Sequence, residues 1–309
     1  ASPASWDATV GQFTVEYRTD NDNLVYGRIS TGHKPGVFNF ASPPVPGVPE
    51  IVEESTLTNF EAGIKGTYLD GRLQLAASAF LMEYDKMHLA ATQELSGDFV
   101  PSPQAETPLA EYVAAIPDSE VYGVEIEYNY AFTTSTSLVG YVAYTDSEVG
   151  PHQSVILGDP DAEFAEYTWT DFETLSPVTG FYQLPADQTG NQLPNQTKTK
   201  FAATLIHDMD LSNGASLSLM GTWAYTGDMY PTIANVEAYK IPSYNRFDAS
   251  VVYNSPGDTW SAMLYVNNVT DEIGLNEFVA GGNFGGQSYL GSATNHREIG
   301  ITLRWSPSL

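Results

Sequence analysis

Hydrophobic residues recur along this chain with a period of two rather than 3.6. Leu73, Leu75, Ala77, Ala79 and Leu81 alternate with Gln74, Ala76, Ser78, Phe80 and Met82. Tyr122, Val124, Ile126, Tyr128 and Tyr130 alternate with Gly123, Glu125, Glu127 and Asn129. The same rhythm runs through 217–223, 247–253 and 299–305. Such alternation marks a strand with one apolar and one polar face. Eleven strands are expected, at about 9–19, 24–32, 56–69, 72–87, 120–132, 136–146, 197–208, 215–227, 244–253, 259–269 and 295–305.

The connections alternate in length. Short turns fall at 20–23, 70–71, 133–135, 209–214 and 254–258, rich in Asp, Asn, Gly, Ser and Thr. Long connections fall at 33–55, 88–119, 147–196, 228–243 and 270–294. A soluble sandwich has no reason to gather every long loop at one end, whereas a membrane barrel of antiparallel strands does. The pattern therefore predicts an all-β fold, a transmembrane antiparallel up-and-down β-barrel with about eleven strands present. Tyr68, Tyr130, Phe132, Tyr253, Trp260 and Trp305 stand beside the short-turn ends, where an interfacial aromatic girdle would lie.

Composition narrows the classes further. The chain has 309 residues, 12 Lys+Arg against 38 Asp+Glu, a net charge of −26 and no cysteine. Nucleic acid is excluded as a partner, because its affinity comes from clustered bases that are scarce here. A disulfide scaffold, a thiolate metal site and a cysteine nucleophile are excluded too. Apolar runs are far shorter than the roughly 18 residues of a spanning helix. Residues 1–7 lack the apolar core of a signal peptide, so either it has been removed or residue 1 is not the start of the gene product. Two alternatives stay open on composition: a passive porin-like channel and a soluble acidic β-sandwich acting as a binding module.

No catalytic constellation is present, and the chain is read as a non-enzyme that needs no cofactor. The five histidines (His33, His88, His152, His207 and His296) show no metal-ligand spacing. Asp159-Pro-Asp161 reads as a turn before it reads as a calcium loop. Binding residues are sought in the long loops. The stretch 147–196 is acidic, carries no Lys or Arg, and offers Tyr167, Trp169, Phe172, Phe181 and Tyr182 as ligand contacts. His33 and Lys34 follow the second strand and could reach a ligand from a loop base. Glu125, Glu127, Arg246 and Asp248, with Glu61, Lys65, Lys198, Lys200, Glu298 and Arg304, fall on the polar phase and are expected to line a lumen and pair with one another.

Several segments resemble the C-terminal part of TonB-dependent outer-membrane receptors. They are Leu24-Val-Tyr-Gly-Arg-Ile-Ser-Thr-Gly-His-Lys-Pro-Gly-Val-Phe-Asn39, Asn59-Phe-Glu-Ala-Gly-Ile-Lys65, Tyr122-Gly-Val-Glu-Ile-Glu127, Val266-Asn-Asn-Val-Thr-Asp271 and Arg297-Glu-Ile-Gly-Ile-Thr-Leu-Arg-Trp305. The family usually ends on an aromatic, whereas Ser306-Pro-Ser-Leu309 follows Trp305 here. The resemblance implies half of a roughly 22-stranded plugged barrel. On that view residues 1–309 form its C-terminal part, with the plug domain and the N-terminal strands absent. It further implies a Gram-negative outer membrane, contact with lipid and lipopolysaccharide, TonB acting through the missing plug, and uptake of a scarce nutrient such as a ferric siderophore.

Overall fold

The computed structural model describes residues 4–39, 48–94, 109–155, 163–170, 177–282 and 287–306. Eleven strands form one antiparallel sheet in strict sequence order. They are Gln12–Arg18, Leu24–Lys34, Ser55–Tyr68, Leu73–Asp85, Ser119–Ala131, Thr136–Glu148, Thr199–Asp210, Ser216–Thr226, Tyr244–Asn254, Trp260–Asn267 and Glu298–Trp305. Every expected strand is present, with ends displaced by a few residues. The sheet is open: Gln12–Arg18 and Glu298–Trp305 are its edges and do not pair with each other. Strand Ser55–Tyr68 has 14 residues. At about 3.3 Å per residue and a tilt near 45° it spans roughly 30 Å, enough for an apolar band about 25 Å tall.

The ladder register sorts side chains into two phases. One rung reads Val25, Ile64, Ala77, Ile126, Val142, Phe201 and Tyr225 across seven strands. A second reads Tyr68, Leu73, Tyr130, Leu138, Leu205, Gly221, Ala249, Val266 and Ile299. The opposite phase carries Lys65, Ala76, Glu127 and Tyr141 on one rung and Thr204, Thr222 and Asp248 on another. The apolar phase is not covered. Ile126 and Val251 are each 38% exposed, Leu264 53% and Ile301 67%. Val139 and Tyr141 are the exceptions, exposed large side chains on the polar phase.

No second sheet packs on either face among the described residues; the other sheets are two-stranded pieces within the long connections. Soluble proteins rarely leave more than a few hundred Å² of contiguous apolar surface in water. Eleven strands of outward apolar side chains are consistent with hydrocarbon as the solvent of that face.

At the short-turn end the backbone reverses through left-handed residues, Asp70 (φ 55°) with Gly71 (φ 87°), and Gly257 (φ 69°) with Asp258 (φ 53°). The expected girdle also lies here. Tyr130 and Phe132 meet edge to face at 4.8 Å, Tyr253 and Trp260 lie 5.1 Å apart, and Trp260 pairs with Trp305 across the ladder. All but Phe132, which sits in a turn, are on the outward phase. A second aromatic group stands toward the long-loop end on the same face. Phe201 meets Trp223 at 4.7 Å, and Trp223 stacks on Phe247 at 5.9 Å.

The long connections are themselves folded, which the sequence pattern did not predict. They contain hairpins Met87–Glu94 with Leu109–Ile116, Phe164–Thr170 with Pro177–Gln183, and Leu275–Gly282 with Gln287–Ala293. The one packed core of buried residues among the described residues lies here. Ile116, Val149, Ile233, Ala91 and Ala114 are buried together, with Leu89, Tyr112 and Leu193 against them. Three loops thus share one hydrophobic cluster and form a cap over one end of the wall.

Candidate functional site

The polar phase is paired only in part: among the described residues Glu125, Glu127, Lys65, Lys200 and Arg304 form no ion pair, whereas others do. Arg28 and Glu61 form an ion pair at 2.5 Å, and the Tyr26 hydroxyl donates to Glu61 Oε1 at 2.7 Å. Gly63 lies beneath the Tyr26 ring; a Cβ there would stand 2.7 Å from the ring, so glycine lets the tyrosine cross the wall to its carboxylate. Glu125 and Glu127 are on this phase, opposite Ser78 and Ala76. Arg246 Nε donates to Asp248 Oδ1 at 3.0 Å, and the same oxygen accepts the Asn268 backbone N–H at 2.7 Å. Asn268 is buried and ties Glu272 to Asn295 through its amide. The Arg246–Asp248 pair therefore anchors the last long connection rather than standing free in the lumen. That explains structurally the segment 266–271 singled out in the sequence.

The loop-base pair separates. His33 is engaged with Glu54, Nε2 to Oε2 at 3.0 Å. Lys34 is exposed at the end of its strand. The aromatic candidates divide likewise. Register sets Tyr167 opposite Gly180, Trp169 opposite Val178, Phe181 opposite Glu166 and Tyr182 opposite Ala165 in one hairpin. Phe172 lies outside the described residues, as do Asp159 and Asp161. Among the described residues no group of three or more His, Asp or Glu is placed to hold a metal ion.

The structure shows a cleft that the sequence did not single out. It has a volume of about 390 Å³ and sits where strand Thr136–Glu148 meets loops 149–198 and 227–243. Its charges alternate. Lys198 Nζ meets Asp146 at 2.8 Å, and Lys240 Nζ meets Asp228 at 2.7 Å and Glu237 at 3.7 Å. The Lys240 ammonium also stands 5.1 Å from the centre of the Tyr230 ring, whose hydroxyl donates to Glu237 at 2.7 Å. The hydrogen bond from Lys240 holds the Asp228 carboxyl below its usual range, and the same bond raises the Lys240 ammonium. Asp146 likewise raises Lys198. Amides fix the floor: Asn235 Oδ1 accepts the Gln192 N–H at 2.7 Å, and Asn191 Nδ2 donates to the Ile233 carbonyl at 2.8 Å. Only the scarcity of bases could have flagged it. Lys198 is the first base after Lys86, and it and Lys240 are two of twelve in the chain.

An outward apolar phase, a polar opposite phase and all large loops at one end define an outer-membrane-type barrel wall. Residues 1–269 match the family model for the β-barrel of TonB dependent receptor-like proteins. The chain belongs to that family. Among solved structures it is similar to the ferric yersiniabactin uptake receptor FyuA from Yersinia pestis, at 18% identity and TM-score 0.66, covering 96% of this chain and 37% of that one. It is similar to the siderophore receptor PiuA from Acinetobacter baumannii, at 20% identity and TM-score 0.62, covering 95% and 35%. It is also similar to the copper transporter OprC, at 14% identity and TM-score 0.63, covering 95% and 39%. This chain spans little more than a third of each of these proteins, and identities this low speak for the fold alone.

Proposed function

We propose that this chain forms part of the wall, and the extracellular mouth, of an outer-membrane receptor that imports a scarce nutrient by a TonB-dependent cycle. The cargo on this reading is a ferric siderophore. The observation that carries it is the open eleven-stranded sheet with its apolar phase uncovered and every long loop at one end, in a chain of this family. Residues 1–309 then supply the C-terminal half of the barrel domain; the plug that meets TonB and the remaining strands lie outside them and close both sheet edges. Lipid and lipopolysaccharide face the outward phase. The hairpin carrying Tyr167, Trp169, Phe181 and Tyr182, together with Phe172, contributes to cargo capture.

The test is radioiron uptake by iron-starved cells. Disrupting the gene should abolish accumulation of the cognate ferric complex, and removing TonB should do the same. Accumulation that persists without TonB would mark a passive channel. Deleting 155–185 should remove cargo binding while leaving the barrel assembled; unchanged affinity would take that hairpin out of the site.

A further inference from the structure

We propose that the cleft of Asp146, Lys198, Asp228 and Lys240 is a recognition subsite for a donor-rich cargo arm, one that is net neutral or cationic. This rests on the uptake reading and names the class of cargo. Each lysine is already held by an aspartate, at 2.8 and 2.7 Å, and the lining sets Asp146, Glu148 and Asp228 against Lys198 and Lys240, a net charge of −1. The floor amides are turned mostly inward: Asn235 Nδ2 donates to the Gln192 and Thr232 carbonyls, Asn191 Nδ2 to Ile233 and Gln192 Nε2 to Gln196. The Tyr230 hydroxyl donates to Glu237. The cleft also has acceptor capacity to offer. Glu148 is exposed at its edge with no partner among the described residues, and Asn191 and Gln192 retain amide oxygens. A carboxylate without a counter-ion, in a lining of net negative charge, complements ammonium, amide N–H and hydroxyl groups better than carboxylate or catecholate.

The field of the mouth acts in the same direction. The five segments between the wall strands at that end, 35–54, 86–118, 149–198, 227–243 and 268–297, carry 20 of the 38 acidic residues and 4 of the 12 bases, Lys86, Lys198, Lys240 and Arg297. Lys86 is paired with Glu53 at 2.8 Å, and Arg297 gives its backbone N–H to Asp271 and its guanidinium to the Val269 carbonyl. An anionic complex would approach a surface of its own sign, with the exposed Lys34 at a loop base as the cation outside these pairs. The volume, about 390 Å³, is that of a small-molecule pocket and admits one arm of a complex.

The experiment uses the intact receptor in outer membranes and two probes of one metal: a cationic ferric trihydroxamate bearing a free ammonium, and an anionic ferric tris-catecholate. Binding and radioiron uptake of each are measured for wild type, Glu148→Gln and Asp228→Asn. Wild type should favour the trihydroxamate by at least about tenfold, a difference of roughly 1.4 kcal/mol. Glu148→Gln should weaken the trihydroxamate alone. Asp228→Asn frees Lys240 and should shift the ratio toward the tris-catecholate. Equal or tighter binding of the tris-catecholate by wild type overturns the assignment while leaving uptake standing. A wild-type preference that both variants leave unchanged overturns the cleft as its source. A receptor that takes up neither probe, nor any other ferric complex, overturns the uptake reading together with the subsite.

Discussion

The wall and the cap of this molecule obey opposite rules. The wall has eleven strands and no interior: its large apolar side chains, Ile126, Leu264 and Ile301 among them, are uncovered. The cap is built of two-stranded pieces joined by irregular chain, and it holds Ile116 and Val149 at 0% and 1% exposure. The wall is held by its ladders and, on the reading above, by hydrocarbon; the cap is held by packing in water and by specific hydrogen bonds. Damage to the two regions should therefore be read out by different measurements.

The largest effect is expected in the wall. Ile126→Arg combined with Leu264→Arg should cost about 2–4 kcal/mol for each arginine near the bilayer centre and should block outer-membrane assembly. Ser78→Arg, one residue away in phase and opposite Glu125, should assemble normally. Fractionation and heat-modifiability of the band decide it, and equal assembly of the two would erase the distinction between phases.

Next comes the cap. Ile116→Ala should cost about 2–5 kcal/mol of local stability, raising hydrogen exchange across loops 86–118, 149–198 and 227–243 together, with insertion unchanged. Exchange confined to one loop would mean that the three do not share a core. Asn39→Ala should be milder, about 1–3 kcal/mol. It removes the amide that accepts the Val113 N–H at 2.9 Å and donates to the Val113 carbonyl at 3.1 Å and the Pro49 carbonyl at 2.9 Å, and it should loosen the hairpin carrying Val113 and the chain at Pro49 without touching the shared core.

The smallest effect is that of pH. Asp228 is held below its ordinary 3.8, so its contribution is full above that value and is lost as pH falls through the lowered one. Lys240 is raised above 10.5, so its contribution is full below that value and is lost as pH rises through the raised one. The clamp between strand and loops should hold from mildly acidic to mildly alkaline pH. Burial lowers His152, so loop 149–198 should also begin to lose protection as pH drops below 6.5. Exchange in 149–155 followed against pH checks this, and a flat profile from pH 8 to 5, around the ordinary imidazole range, would exclude it.

The same contrast explains what the sequence revealed. The wall was legible because each strand writes its two environments into alternate residues, as in Tyr122–Tyr130 against Gly123–Asn129. The ends moved slightly, Glu298 opening the last strand three residues later than expected, because Asn268 and Asp271 hold the preceding segment as loop. The cap was illegible because its core is assembled from single residues far apart, Ile116, Val149 and Ile233, with no local period. The charges Glu125, Glu127, Arg246 and Asp248 share one phase of the sheet, as their alternation implied, but the task of Asp248 depended on a backbone N–H twenty residues away. The cleft needed Lys198 and Lys240 to be brought together by the cap, which no spacing announces.

The orientation of the wall can be measured directly, because the chain contains no cysteine. Single cysteines placed in turn at 123–129 and spin-labelled in the assembled membrane report collision with oxygen, which enriches in lipid, and with a water-soluble nickel complex. The account predicts strict alternation, with oxygen dominant at Val124, Ile126 and Tyr128 and nickel dominant at Glu125, Glu127 and Asn129. Uniform nickel access at all positions, or the reverse alternation, would contradict it.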